Sequence, residues 1–308
     1  MASAFTVQCP GKVFLFGEYA CLDGGPSLLL TLKPFYSLTA KPSPDGKRHL
    51  PAFEPASPAG VFLLQHAKDL GGWRLEWGDS GSAAMGTGSS SAQFLLSLAA
   101  DVRISGRAMP SVESILRLYW DIVGESQGLR PSGADLVAQL LGGPIAVKTR
   151  ERLEPWSEQM GAEIILAYTG SKIATHEHLK GLAARGFPEK FRAMNDALNA
   201  ITERALSAWR SRDEFRLGQE MNAHQRELAN AKIAPDDFFA KIESLARVPG
   251  VLGCKGSGAH GGDCIVLLVR RDSVDGVCAR IQNFEYTAIM PEWTEQGLTY
   301  RPAKEFSL

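Results

Sequence analysis

Residues 84–93 read AMGTGSSSAQ and run directly into the apolar stretch FLLSLAA at 94–100. Two glycines supply backbone without Cβ, and three serines supply hydroxyls beside a row of N–H groups. The apolar stretch then commits to a helix whose positive dipole end faces the loop, and such a helix start suits an anion. Taken alone, the decapeptide is equally well read as a Gly/Ser linker or an ordinary helix cap. The remainder of the chain has to break the tie.

The chain has 308 residues, 44% of them apolar, enough for one large core or, better fitted to the length, two smaller ones. Lysine and arginine total 33 against 34 acidic residues, so there is no global field to gather nucleic acid or an anionic membrane. Any basic site is local. Cysteines at 9, 21, 254, 264 and 278 form no C-x-x-C pair, and the N-terminus lacks a charged region followed by an apolar one. Both features predict a reducing, cytoplasmic setting, with the cysteines acting as small buried hydrophobes. No apolar run approaches the roughly 20 residues a bilayer span needs.

Outward from the loop, the first forty residues cluster apolar side chains between Pro and Gly punctuation, the pattern of several short strands. The stretch 91–103 is apolar almost all round, as a helix inside a core is, whereas 111–123 carries an amphipathic stripe. Residues 41–51 read as a solvated surface loop at a hairpin tip. Strand-like PIAVKTR and AEIILAYTG flank a polar joint at 151–160, which places a domain boundary there. Long helical sequence follows over 188–231, then a further helix at 236–246, then a Gly-rich turn and a buried strand.

Three other stretches bear on the loop. CPGKVFLFGEYACLDGG at 9–25 puts Lys12 after a Pro-Gly turn and Glu18 after a second glycine. PSGADLVAQLLGG at 131–143 puts Asp135 in the first turn of a helix, and GCKGSGAHGGDC at 253–264 is a third Gly-rich loop. In this order and at these separations the chain resembles the GHMP kinase superfamily of small-molecule kinases. The most specific segments are PGKVFLFGEYA (10–20), GTGSSSA (86–92), PSGAD (131–135) and GSGAHGGDC (256–264), and LGQEMNAHQREL (217–228) is similar to the family's usual approach to the third motif. Within the superfamily, GEYA, GGDC and YTGSKIATHEHL (168–179) look most like the phosphomevalonate kinase branch, with mevalonate kinase next.

The resemblance implies a two-domain α+β fold: a mixed-sheet N-terminal domain over 1–155 and a ferredoxin-like C-terminal domain over 156–308. It implies ATP and Mg²⁺ with a small-molecule acceptor, no nucleic acid, no membrane, and a monomer or homodimer. A lysine-bearing G-x-x-x-x-G-K-[ST] loop is absent, so Gly86, Gly88, Ser89, Ser90 and Ser91 would hold the triphosphate through amides, hydroxyls and the helix dipole. Ser90 and Glu125 would hold the metal, although Glu125 lies one residue closer to Asp135 than in mevalonate kinases and is equally a solvated helix end. Asp135 would take the proton from a hydroxyl acceptor, with Lys12 beside it, and against this stand an N-terminal cap and a surface lysine.

For an acceptor that is itself a phosphate monoester, already largely deprotonated at neutral pH, Asp135 would only orient, and cations would matter more. Lys12, Arg130, Lys172 and Lys255 are candidates. Glu18, Tyr19, Thr175, Lys255, Ser257, Gly258, Ala259 and His260 would form the acceptor side, with His260 standing where the family has glycine. The His176–Glu177–His178 triplet lacks the i, i+4 spacing of a helical metal pair, and a G-x-S-x-G nucleophile turn is missing. Homoserine or a sugar as acceptor, and a catalytically inactive binding module of the same fold, stay open.

Overall fold

The computed structural model describes residues 3–67, 69–78, 86–124, 130–156, 161–170, 175–258 and 264–302, with 66 and 175–179 described by backbone alone. The first sheet begins with β1 (Phe5–Phe16) and β2 (Leu28–Pro42), paired antiparallel along most of their length. It continues with β3 (Trp73–Gly78), β4 (Ile145–Ala146) and β5 (Glu151–Arg152). The second sheet holds β6 (Ala162–Tyr168), β7 (Val251–Ser257), β8 (Cys264–Arg270) and β9 (Thr287–Ile289) in the order β7-β8-β6-β9. A last strand, β10 (Thr299–Pro302), returns to pair with β1.

Among the described residues the strand ladders of the first sheet are antiparallel, where a mixed sheet was expected. The physical reason is local. β1 reaches β2 through the connection 17–27, whose single 3-10 turn (Ala20–Asp23) does not cross the sheet, and the two strands pair directly as antiparallel neighbours. One isolated parallel bridge joins His49 to Arg74.

Helices α1 (Pro58–Val61), α2 (Ser89–Ile104), α3 (Val112–Val123) and α4 (Ala134–Leu141) accompany the first sheet. From Ser91 to Val102 every residue of α2 except Gln93 is buried, which explains why its sequence shows no amphipathic stripe. Phe94, Leu95 and Leu98 pack with Val7, Cys9, Leu29 and Tyr36 on one face of β1 and β2. The opposite face of the same strands carries Val13, Leu15, Leu28 and Leu30, and these meet Ile164, Leu166, Val266 and Leu268 of the second sheet. Burial on both faces accounts for the near-continuous apolar run of β1.

Helices α5 (Thr175–Ala184), α6 (Arg192–Ser211), α7 (Glu214–Asn230), α8 (Asp236–Ala246) and α9 (Val274–Gln282) belong with the second sheet. Alternate residues of β6 and β8 face α6 and α7 on one side, and α8 and α9 on the other. The order β-α-β-β-α-β around an antiparallel sheet is the ferredoxin-like arrangement expected of the second half. The long helical stretch divides at Arg212, which takes a left-handed conformation, and the Asp213 side chain caps α7 by accepting from the Arg216 N–H at 2.9 Å.

Candidate active site

Gly86 and Gly88 both hold positive φ (68° and 91°), and between them Thr87 is fully buried. The Thr87 carbonyl accepts the Lys12 N–H at 2.9 Å, and its hydroxyl bonds the Tyr36 hydroxyl at 2.7 Å. Loop and β1 are thereby locked together. Gly88 forms the N-cap of α2 and, among the described residues, no side chain caps it, so the helix start is open to an outside partner. A Cβ at Gly88 would lie 2.8 Å from Lys12 Cε, so the glycine is what lets the lysine stem cross the loop.

The three serines separate into distinct roles. Ser91 turns inward, its hydroxyl donating to the Gly88 carbonyl at 2.9 Å, while Ser90 is exposed and Ser89 is partly so. Gln139 of α4 donates to both the Gly88 carbonyl (3.0 Å) and the Pro10 carbonyl (3.2 Å), tying all three segments at one amide. Nothing in the sequence reading singled out Thr87, Tyr36 or Gln139. A glutamine amid the apolar residues of a short helix was the available signal.

Lys12 crosses from β1 to the start of α4. Its ammonium sits 3.2 Å from Asp135 Oδ1; the lysine side chain is 6% exposed and the carboxylate 35%. Asp135 stands in the first turn of α4, which begins after Gly133 (φ 73°), with the Ser132 hydroxyl accepting the Ala134 N–H at 3.2 Å. Arg130 stacks its guanidinium over the Trp120 ring at 4.3 Å, and the Trp120 indole donates to the Pro131 carbonyl at 2.8 Å. These contacts hold the turn that leads into Asp135.

The residues expected on the acceptor side are placed differently. Lys255 is fully buried and donates to Glu18 Oε1 at 2.5 Å and to the Gly256 carbonyl at 2.7 Å. Burial pushes the Glu18 carboxyl up and the Lys255 ammonium down, while each partner's charge pulls the other back. Ser257 is buried too, exchanging hydrogen bonds with the backbone of Phe14: it accepts from the N–H at 3.1 Å and donates to the carbonyl at 3.0 Å. Tyr19, at φ 66°, packs with Leu182, Phe187, Met194 and Leu198. None of these four side chains offers an open surface, so the positions expected to meet an acceptor are occupied with one another.

Gly258 holds φ 80°, and its N–H donates to Glu18. Glu125, Lys172, Ala259 and His260 lie outside the described residues, as does the side chain of Thr175. The sequence reading also passed over Asn222, His224 and Gln225 of α7. His224 Nε2 accepts the Gly17 N–H at 3.3 Å, Gln225 accepts the Gly256 N–H at 2.9 Å, and Asn222 accepts the Cys254 N–H at 3.0 Å. Polar residues inside a motif-bearing helix were again the signal.

The arrangement supplies uncapped N–H groups, an exposed hydroxyl, a lysine and a carboxylate at one place, a donor set that fits a polyphosphate and an oxygen acceptor. A cavity of about 340 Å³ lined by Pro144, Trp156, Trp209 and Trp293 shares no residue with it. Among the described residues no helix is long and apolar enough to cross a membrane.

Residues 193–287 match the family model described as GHMP kinases C terminal. The chain is 23% identical to a mevalonate kinase of Pyrococcus horikoshii, over 87% of this chain and 89% of that one. A Lactococcus lactis galactokinase solved with galactose superposes with a TM-score of 0.74 at 16% identity, covering 96% of this chain and 95% of the other. A Streptococcus pneumoniae phosphomevalonate kinase solved with phosphomevalonate and AMPPNP gives 0.72 at 14% identity, over 94% and 99%.

Proposed function

We propose that this chain, a member of the GHMP kinase family, transfers the γ-phosphoryl group of ATP to phosphomevalonate. The observation that carries the reading is Lys12, whose N–H holds the glycine loop while its ammonium meets Asp135. Phosphoryl transfer needs little covalent help from protein and much positioning and charge neutralisation. The α2 N–H groups and the Ser90 hydroxyl receive the polyphosphate tail, and Lys12 offsets the charge that spreads over the transferred group. Ser90 and Glu125 would hold Mg²⁺, which would supply neutralisation of the phosphate charge.

With a phosphate monoester as acceptor, most of the acceptor is deprotonated at neutral pH because its second pKa lies near 6. Asp135 then orients the attacking oxygen through Lys12 and has no proton to remove. We read the first sheet with its helices as the nucleotide-side domain and the second as the acceptor-side domain, with β10 returning to the first. Tyr19 in GEYA and the GGDC ending favour phosphomevalonate. The archaeal mevalonate kinase relative favours a second reading, mevalonate, in which Asp135 serves as general base.

The test is ADP release by the purified protein with Mg-ATP and, in turn, phosphomevalonate, mevalonate, homoserine and galactose, alongside Asp135→Ala. Turnover of phosphomevalonate that Asp135→Ala abolishes is the expected result. Turnover of mevalonate alone selects the second reading, and turnover of no acceptor leaves a binding module of this fold.

A further inference from the structure

We infer that the buried Glu18–Lys255 pair is a joint that sets the third glycine-rich turn against the first, making both residues positioning residues for phosphoryl transfer. The consequence for catalysis rests on the kinase reading above; the joint itself does not.

Glu18 and Lys255 are 237 positions apart in sequence and belong to different sheets' segments, yet they meet at 2.5 Å with side chains 3% and 0% exposed. The Glu18 carboxylate also accepts the Gly258 N–H, at the entry to the loop that follows β7. Lys255 in turn donates to the carbonyl of Gly256, one residue along the same strand. Two residues along the same strand, Ser257 exchanges two hydrogen bonds with Phe14. Helix α7 braces both sides: His224 accepts from Gly17, the residue before Glu18, while Gln225 and Asn222 hold Gly256 and Cys254. His224 Nε2 lies 3.5 Å from Glu18 Oε2.

A buried ion pair is weak evidence for stability, because well-packed apolar residues of the same volume do as well or better. Its distinctive property is direction. A 2.5 Å contact between two desolvated charges tolerates little relative sliding, since a shift exposes each charge to a medium that cannot solvate it. The two glycine turns gain a fixed separation, which flexible glycine backbone cannot supply for itself. In phosphoryl transfer, misplacement by about 1 Å far from the chemistry costs on the order of a hundredfold in rate.

The experiment uses the full chain, with amide hydrogen exchange read across a denaturant series and steady-state kinetics read in parallel. In the wild type, Gly17 and Gly258 amides are expected to open together, with one denaturant dependence; independent opening of the two overturns the joint. The double variant Glu18→Gln/Lys255→Met removes both charges and avoids leaving either one buried alone. It is expected to exchange about tenfold faster at both glycines, and to lose roughly thirtyfold in kcat while KM for ATP and acceptor moves less than about threefold. Unchanged exchange, or unchanged kcat in a loosened variant, overturns the positioning role. A KM for acceptor raised about tenfold with kcat retained would mean that the pair touches the acceptor. If the wild type turns over no acceptor, the exchange data still decide the joint, and the kinase reading fails separately.

Discussion

Among the described residues, two lysine–carboxylate pairs have a buried lysine, and they share their chemistry but differ in access. Lys12 and Asp135 are 3.2 Å apart, with the carboxylate 35% exposed; Lys255 and Glu18 are 2.5 Å apart, with the carboxylate 3% exposed. In the first, part of the carboxylate faces solvent, so an incoming oxygen can take the place of water and the lysine can share its charge. In the second, the ammonium is held by Glu18 Oε1 and the Gly256 carbonyl, and the carboxylate is sealed from solvent with His224 Nε2 3.5 Å from its other oxygen. Access of the acid, more than the identity of the residues, separates a pair that can act from one that can only hold.

The sharpest way to break this contrast is to remove each pair and ask what is lost. Asp135→Ala and Lys12→Met are expected to lower kcat about a thousandfold while the melting temperature stays within a few degrees, read by ADP release and thermal unfolding. Lys255→Met is expected to act on the fold instead, costing about 3 kcal/mol in urea denaturation because it strands a buried carboxylate. Replacing both partners of the sealed pair should recover much of that loss. If Asp135→Ala unfolded the protein while Lys255→Met left its stability alone, the two roles would be reversed.

A smaller effect is expected where the open pair leans on the loop. Gly88 holds φ 91°, and a Cβ there would stand 2.8 Å from Lys12 Cε. Gly88→Ala should therefore cost roughly 1–2 kcal/mol for the left-handed backbone. It should also displace the lysine, lowering kcat about tenfold. An alanine variant with full activity would mean that Lys12 reaches its position by another route.

The contrast also marks what could be read from sequence. The helix at 89–104 was visible because a core helix is apolar all round, whereas the loop before it, readable alone as a linker, gained meaning only beside the other three motif segments. Lys12 and Asp135 were legible through the turns that carry them, each a glycine followed directly or nearly so by the charged residue. Glu18, Lys255 and Ser257 were equally visible as motif residues, yet their burial and their long-range partners were not. Whether a polar side chain faces a ligand or another part of the chain depends on long-range pairing, and Ser257 bonds a residue 243 positions away. The antiparallel first sheet was hidden for a similar reason: strand direction follows from which segments pair, and local apolar patterning is the same either way.

Cys21 gives the finest probe of the comparison because it lies within electrostatic reach of both acids. Burial pushes its thiol up to about 12, the Ser132 side chain opposes this through a hydrogen bond, and the charges of Glu18 and Asp135 raise it further. Thiolate is therefore scarce at pH 8, and alkylation of Cys21 by iodoacetamide, followed by peptide mass spectrometry, should be far slower than for a free cysteine. Because burial is the leading cause, removing one negative charge should matter only modestly. Asp135→Asn, which keeps the side chain's shape, lowers the thiol pKa, raises the thiolate fraction and is expected to speed alkylation about twofold. That acceleration reports the Asp135 charge acting on the thiol. A rate identical to wild type would mean that no charge is lost there, and the distinction between the open and sealed pairs would then rest on exposure alone.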